Sequence, residues 1–202
     1  MAVPGEIAAG RRRREILANA ALSNHPLFSS IPPDVLERLV KTQRLTNRLY
    51  RKVIDEFGAI PPANRLVEAF LLTSENEIKE TAKILGVTLS LPSLRTHLTR
   101  SDIDALGRNF HKSSMKKILT YANITVEVPI RNYNDLEECF AHMEADGWVM
   151  MEIWARHNRI DPRWRIRPGA TENSGIASIP GSQAITLVNQ AMLDLVDREA
   201  EV

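Results

Sequence analysis

The spacing of apolar residues in the middle of the chain, 74–122, predicts a run of short helices joined by tight turns. Ser74 with Glu77 three residues later is a capping-box pattern, which is typical of a helix start. The apolar residues that follow recur at helical spacing and form one stripe: Ile78, Ala82 and Leu85.

The breaks in this segment are predicted from glycine, proline and serine. Gly86 follows the stripe directly and favours a helix end, because glycine adopts the left-handed conformation without strain. Pro92 fits the first turn of a second helix. Ser101 indicates the start of a third helix, and the serine pair 113–114 that of a fourth.

The segments before residue 74 also read as helical. Residues 34–57 keep one apolar face, which predicts either one long helix or two helices with a break near Thr46. Gly58 ends this pattern, and a further helix is predicted from Ala63. Four arginines, Arg11 to Arg14, precede these elements, and a solvated helix face is favoured for them over contact with nucleic acid or anionic lipid.

The segments after residue 122 begin with the one candidate strand. Residues 124–130 alternate apolar and polar side chains, but Pro129 lies inside the pattern, so the prediction is at most a short extended or edge-strand segment. A helix follows over 135–158, where Gly147 suits a close helix crossing or a kink. The last helix has a heptad-like seam: Ile185, Val188, Met192 and Leu195.

The fold class predicted from these patterns is mainly α, an irregular multi-helix globular domain. The chain has 202 residues, of which 44% are hydrophobic and 25% charged, so a sizeable core is expected. The predicted organisation is a basic N-terminal segment over 1–31 and a helical core over 32–166. A flexible loop over 167–182 and a C-terminal helix over 183–202 that docks on the core complete it.

Composition argues against an enzyme. The single cysteine, Cys139, excludes an internal disulfide and an all-cysteine metal site. No HExxH, GxSxG, GxGxxG or Walker A motif occurs, so no catalytic, cofactor or metal site is predicted. The net charge of +1 does not favour nucleic acid. No apolar run reaches the length of about 20 residues that a membrane span requires. A cytoplasmic protein that reaches a membrane only through a partner is therefore expected.

A DNA-binding alternative rests on residues 77–100, which resemble a helix-turn-helix with Ala82 four residues before the turn at Gly86. Pro92 stands near the packing position of the second helix, where proline removes a backbone hydrogen bond and clashes. This alternative therefore needs a longer turn than a compact helix-turn-helix has.

Tryptophan and arginine are concentrated between residues 148 and 167. Core packing is the favoured interpretation of this aromatic surface. The functional alternative is a partner interface, since aromatic residues and arginine are enriched at interface cores. On that hypothesis, alanine at both Trp164 and Arg165 weakens partner binding without unfolding the protein. The partner-binding candidates are Trp148, Trp154, Arg163, Trp164 and Arg165.

Three segments resemble the SctK (YscK-like) family of type III secretion accessory proteins. They read LGVTLSLPSLRTHLTRSDIDALGRNFHKSSMKKIL, GWVMMEIWARHNRIDPRWRIRPGATE and ITLVNQAMLDLV. The resemblance implies a non-enzymatic cytoplasmic adaptor of the injectisome sorting platform, peripheral at the inner membrane, which supports the export of effector proteins into host cells. It implies bridging between an SctD-like inner-membrane ring protein and an SctQ-like pod protein, the latter carrying an SctL-like stator and an SctN-like ATPase.

Overall fold

The computed structural model describes residues 31–58, 64–94, 99–124, 136–174 and 179–200, together with Arg12 and Ile16. Of the described residues 79% are helical and none lies in a strand, which confirms the mainly-α prediction. The extended segment predicted near 124–130 lies outside the described residues, apart from Ile124, which is part of a turn.

The described helices are separated by short connections. They are α1 (Pro33–Lys41), α2 (Gln43–Phe57), α3 (Arg65–Leu72), α4 (Glu75–Leu94), α5 (Arg100–Asn109), α6 (Lys112–Ala122), α7 (Leu136–His157) and α8 (Gly181–Ala200), with a 3-10 turn at Pro162–Trp164. Within the described ranges, no helix is both long enough and apolar enough to cross a membrane.

The chain divides into two compact units, each built from two stretches of sequence. The first unit comprises Met1–Glu77 and Ala155–Pro168, and the second comprises Ile78–Trp154 and Gly169–Val202. The domains predicted from the sequence are contiguous stretches, whereas each of these units combines residues that are distant along the chain.

In the first unit, the break in the long predicted helix falls at Thr42 rather than near Thr46. Thr42 has an extended backbone (φ −92°, ψ 107°), so it ends α1 and precedes α2. Thr46 is instead buried inside α2. Gly58, at φ 83°, ends α2 as predicted, since an L side chain rarely adopts this conformation.

The start of α4 confirms the predicted capping box. The Ser74 hydroxyl donates to the Glu77 carboxylate at 2.6 Å, and it accepts a hydrogen bond from the Glu77 backbone N–H at 3.3 Å. These two bonds bring the Ser74 and Glu77 side chains together at the helix start, where backbone N–H groups lack intrahelical partners.

The predicted end of this helix at Gly86 is wrong, because α4 continues without a break to Leu94 and includes both Gly86 and Pro92. Pro92 therefore lies near the end of one helix and does not start a second one. Residues 84–91 are buried throughout, so tertiary packing stabilises the helix despite its glycine. The hydroxyls of Thr88 and Ser90 donate to the carbonyl oxygens four residues earlier, at 2.7 and 3.1 Å.

This continuous helix removes the geometric basis of the helix-turn-helix alternative. A helix-turn-helix over 77–100 needs a turn after Gly86, and the structure places residues 75–94 in a single helix. Because Gly86 is buried in that helix, no recognition helix begins after it within the described residues.

In the second unit, α4 and α7 cross at backbone contact, and each contributes a glycine. A Cβ atom added at Gly86 would lie 1.7 Å from the carbonyl oxygen of Met143. A Cβ atom added at Gly147 would lie 1.8 Å from the carbonyl oxygen of Ala82. The close crossing suggested for Gly147 is therefore confirmed, and Gly86 has the same role.

Helix α8 packs within the second unit through the seam predicted from its sequence. Val188, Met192 and Leu195 are buried, and Ile185 is partly exposed. Two hydrogen bonds join α8 to its neighbours: Trp154 Nε1 donates to Asn189 at 2.8 Å, and the Tyr121 hydroxyl donates to Asp194 at 2.6 Å. The buried polar ends of the two aromatic side chains are thus satisfied.

Candidate functional site

The five residues predicted to bind a partner are divided between the two units. Arg163, Trp164 and Arg165 belong to the first unit, whereas Trp148 and Trp154 belong to the second. Each group is therefore described within its own unit.

The first group is built on a short 3-10 turn whose geometry follows from the sequence Asp161-Pro162-Arg163-Trp164. Asp161 precedes the turn, and its carboxylate accepts the backbone N–H of Arg163 at 2.9 Å. Pro162 occupies the first position of the turn, where a missing N–H costs nothing. The guanidinium of Arg163 then folds back onto the same carboxylate, with contacts of 2.6 to 3.1 Å.

These contacts set the charge state of Asp161. Burial by itself would raise the pKa of the Asp161 carboxyl, but hydrogen bonds from the side chain and backbone of Arg163, aided by the nearby charges of Arg163 and Arg156, outweigh it. The pKa of Asp161 is therefore held below its ordinary value of 3.8. The same hydrogen bond raises the pKa of Arg163.

We expect Asp161→Asn to remove an acid-sensitive part of the stability. Because the pKa of Asp161 is lower in the folded chain, its contribution is present above the unfolded value of 3.8 and is lost as the pH falls through the folded pKa. The variant should lose about 0.5–1 kcal/mol at pH 7, a range that allows for solvent screening. Its deficit relative to wild type should shrink below about pH 4.

Urea denaturation at pH 7 and at pH 3 measures this difference. Asp55→Asn is the matched control, because Asp55 is exposed on α2 and makes no ion pair with another described residue. Equal pH dependence of the two variants would contradict the role given to Asp161.

Trp164 is a core residue of the first unit, with 1% of its surface exposed. Its ring meets Phe57 edge-on, at a centroid distance of 5.7 Å and an angle of 75°, and lies 6.3 Å from the ring of Tyr50. The Arg163 guanidinium covers the Phe57 ring at 4.6 Å. The turn is therefore attached to α2 by aromatic packing.

Arg165 is also buried, and its contacts attach the following segment to the start of α4. Its Nη2 atom donates to the carbonyl oxygen of Thr73 at 2.7 Å, while Nε and Nη1 have no hydrogen-bond partner. Burial lowers the pKa of Arg165 to about 10, with partial compensation from the charge of Glu75. Arg165 is thus charged at neutral pH. Nearby, Arg167 donates to Glu75 at 2.8 Å.

The two tryptophans of the second unit are buried as well, at 5% exposure for Trp148 and 0% for Trp154. The indole N–H of Trp148 donates to Glu144 at 3.4 Å, one turn earlier on α7. The indole N–H of Trp154 donates to Asn189 of α8. Both side chains therefore fill the core of their unit, in agreement with the interpretation that the sequence favoured.

These positions correct the accessibility on which the interface hypothesis rested. Trp148, Trp154, Trp164 and Arg165 are buried, and Arg163 is the one candidate with an exposed side chain. A buried side chain contacts a partner only after a rearrangement of its own unit. Partner binding at these positions stays a prediction, but alanine at Trp164 and Arg165 is now expected to affect folding.

The structure also draws attention to basic residues that the sequence analysis did not single out. Helices α1 and α2 expose a set of cations on one side: Arg38, Arg44, Arg48, Arg51 and Lys52. The available signal was their helical spacing in ERLVKTQRLTNRLYRK, which was interpreted only for its apolar positions. By contrast, Arg12, from the arginine run near the N-terminus, is paired with Glu68.

Among the described residues, no group of three or more His, Cys, Asp or Glu side chains is placed to hold a metal ion. No protein-family model, curated protein or solved structure matches the chain.

Proposed function

We propose that this chain is a non-enzymatic adaptor of a bacterial type III secretion system, acting in the cytoplasmic sorting platform of the injectisome. The observation behind the proposal is the ordered resemblance of three sequence segments, 85–119, 147–172 and 185–196, to the SctK family. The proposed role is to bridge an SctD-like ring protein and an SctQ-like pod protein. Through the pod protein, the chain would be linked to the SctL-like stator and the SctN-like ATPase.

The packing of the second unit is consistent with this resemblance. The Leu85-Gly86 pair of the first segment and the Gly147-Trp148 pair of the second lie on the two helices that cross at backbone contact. The third segment belongs to α8, whose Asn189 accepts from Trp154. The residues that resemble the family therefore have a shared structural role, which supports common ancestry of the fold more directly than a common binding site.

An adaptor of this kind acts by binding alone. Apolar contacts supply affinity, while charged surface around them sets the register and the choice of partner. Since four of the five proposed contact residues are buried, binding is expected to use other exposed surface of the folded chain.

Co-purification tests the proposal. The full chain is expressed with the proteins encoded beside it, and size-exclusion chromatography with mass measurement identifies any complex. We expect a stable complex with an SctQ-like or an SctD-like protein. A variant with Gly107→Ala is a suitable control for handling, because a Cβ atom at this position meets nothing within 4 Å.

A folded chain that elutes alone in the presence of both neighbours would contradict the proposal. Circular dichroism on the same fractions shows whether the helical fold is present, so that loss of binding is not confused with loss of structure.

A further inference from the structure

Helices α1 and α2 present one strongly basic surface, here called the basic face, made of Arg38, Arg44, Arg48, Arg51 and Lys52. All five side chains are exposed. On α2 the arginines follow one another at spacings of four and three residues, which places them on one side of the helix. The whole chain has a net charge of only +1, so this concentration of positive charge is local.

The cations of the basic face have no acidic partners among the described residues. No hydrogen bond or ion pair within 4.0 Å joins any of the five to another described side chain. Elsewhere in the same unit, arginines are paired: Arg12 with Glu68, Arg163 with Asp161 and Arg167 with Glu75. The unit therefore contains acids that neutralise other arginines, but none of the described ones reaches this face.

The order of charges along α2 also opposes the helix dipole. Its first turn contains no acidic residue and its last turn no basic one. Arg44 lies near the N-terminus, and Asp55 and Glu56 lie near the C-terminus, the reverse of the order that stabilises a helix. The stability of the helix itself therefore gives no reason for this arrangement, whereas contact with an anionic partner does.

We propose that the basic face is a docking surface for an acidic helical segment of a partner protein. The separation of Arg44 and Lys52 along the helix is about 12 Å at 1.5 Å per residue, which is a little over two turns. Carboxylates at the same four-and-three spacing on a partner helix match it. Guanidinium groups bind carboxylates in a bidentate manner, which gives both strength and orientation.

The limits of the basic face favour protein over nucleic acid. Asp55 lies on the same side of α2 one turn beyond Arg51, and Glu56 is adjacent. These carboxylates would repel a phosphate backbone that continues along the helix, because its charge repeats every few ångströms. A short acidic segment ends before it reaches them. This inference rests on the charges of α1 and α2 and does not depend on the proposed secretion role.

The probe is a fluorescein-labelled peptide of 22 residues with glutamates at the four-and-three spacing on one helical face and alanine and glutamine elsewhere. Its binding to the full chain is measured by fluorescence anisotropy. Combining Arg44→Glu, Arg48→Glu and Arg51→Glu should weaken binding at least tenfold. Raising the salt concentration should weaken binding to the wild-type chain, since exposed charges are screened.

The matched control combines Arg108→Glu, Lys112→Glu and Lys116→Glu, three exposed cations of α5 and α6. It changes the net charge by the same amount, and it should retain binding within about threefold. Circular dichroism verifies folding of both variants. If the reversed charges unfold the chain, the triple change to glutamine at Arg44, Arg48 and Arg51 replaces them, with an expected loss of at least fivefold.

Several results would overturn the inference. One is an equal loss in the control variant, which would indicate attraction by total charge alone. Another is absence of peptide binding to the wild-type chain at low salt. A third is tighter binding of a 20-base-pair DNA duplex, or of phosphatidylglycerol vesicles, that is lost in the α2 variant. Complex formation with SctQ-like or SctD-like proteins is measured separately, so failure of either proposal is recognised independently of the other.

Discussion

Replacing Gly86 by alanine is expected to destabilise the second unit by roughly 3 kcal/mol, at the upper end of the usual range for overpacking. The new methyl group would lie 1.7 Å from the carbonyl oxygen of Met143, which is a backbone atom and cannot rotate away. Helices α4 and α7 must therefore separate, and the contacts around their crossing are lost. Higher helix propensity of alanine returns only about 1 kcal/mol.

Gly147→Ala tests the same crossing from the other helix, since its methyl group would meet the carbonyl oxygen of Ala82 at 1.8 Å. Both variants are expected to lower the melting temperature by roughly 5–10 °C, given the usual relation for a chain of this length. The double variant should lose less than the sum of the two, because one displacement of the helices relieves both clashes.

Gly107→Ala is the control for these substitutions. Gly107 also lies in a helix, α5, but a Cβ atom at this position meets nothing within 4 Å. This variant should gain roughly 0.5–1 kcal/mol from helix propensity alone. Urea denaturation followed by circular dichroism measures all four proteins. Unchanged stability of Gly86→Ala would show that the two helices do not approach as closely as described.

Trp164→Ala is expected to destabilise the first unit by about 3–5 kcal/mol, the usual cost of removing a large buried aromatic side chain. Trp164 is 1% exposed and packs against Phe57 and Tyr50, so its loss leaves a cavity beside α2. The result would reverse the expectation from sequence, in which alanine at this position weakens partner binding and leaves the fold intact.

Two companion variants separate packing from surface effects at this site. Trp164→Phe keeps an aromatic ring against Phe57 and should lose clearly less than the alanine variant. Arg163→Ala removes an exposed side chain that covers Phe57 and pairs with Asp161, and about 0.5–1 kcal/mol is expected for such an exposed contact. If Trp164→Ala is folded with wild-type stability and only partner binding falls, the interface hypothesis regains its support.

Local sequence signals predicted the features of the fold that depend on neighbouring residues. The capping box of Ser74 and Glu77 forms because both partners lie within one helical turn. Gly58 ends α2 because its backbone conformation needs no partner elsewhere in the chain. Helices α5 and α6 begin at Arg100 and Lys112, within two residues of the serines that indicated their starts.

Features that depend on distant residues were predicted poorly. Gly86 has the local signature of a helix end, but the same small size allows a backbone contact with Met143, 57 positions later in the sequence. The candidate site shows the same limit, because tryptophan and arginine next to each other are found both at interfaces and in cores. Only the positions of Phe57, Thr73 and Asn189 distinguish the two for these residues.

The sequence by itself therefore determined the helical class of this protein, most helix starts, the apolar seam of α8 and the absence of known catalytic motifs. These properties follow from residue type and spacing along one helix. The tertiary structure decided that α4 runs through Gly86, that the tryptophans and Arg165 are buried, and that the cations of α1 and α2 remain exposed and unpaired among the described residues. Burial and ion pairing depend on which segments meet in space, and helical spacing does not contain that information.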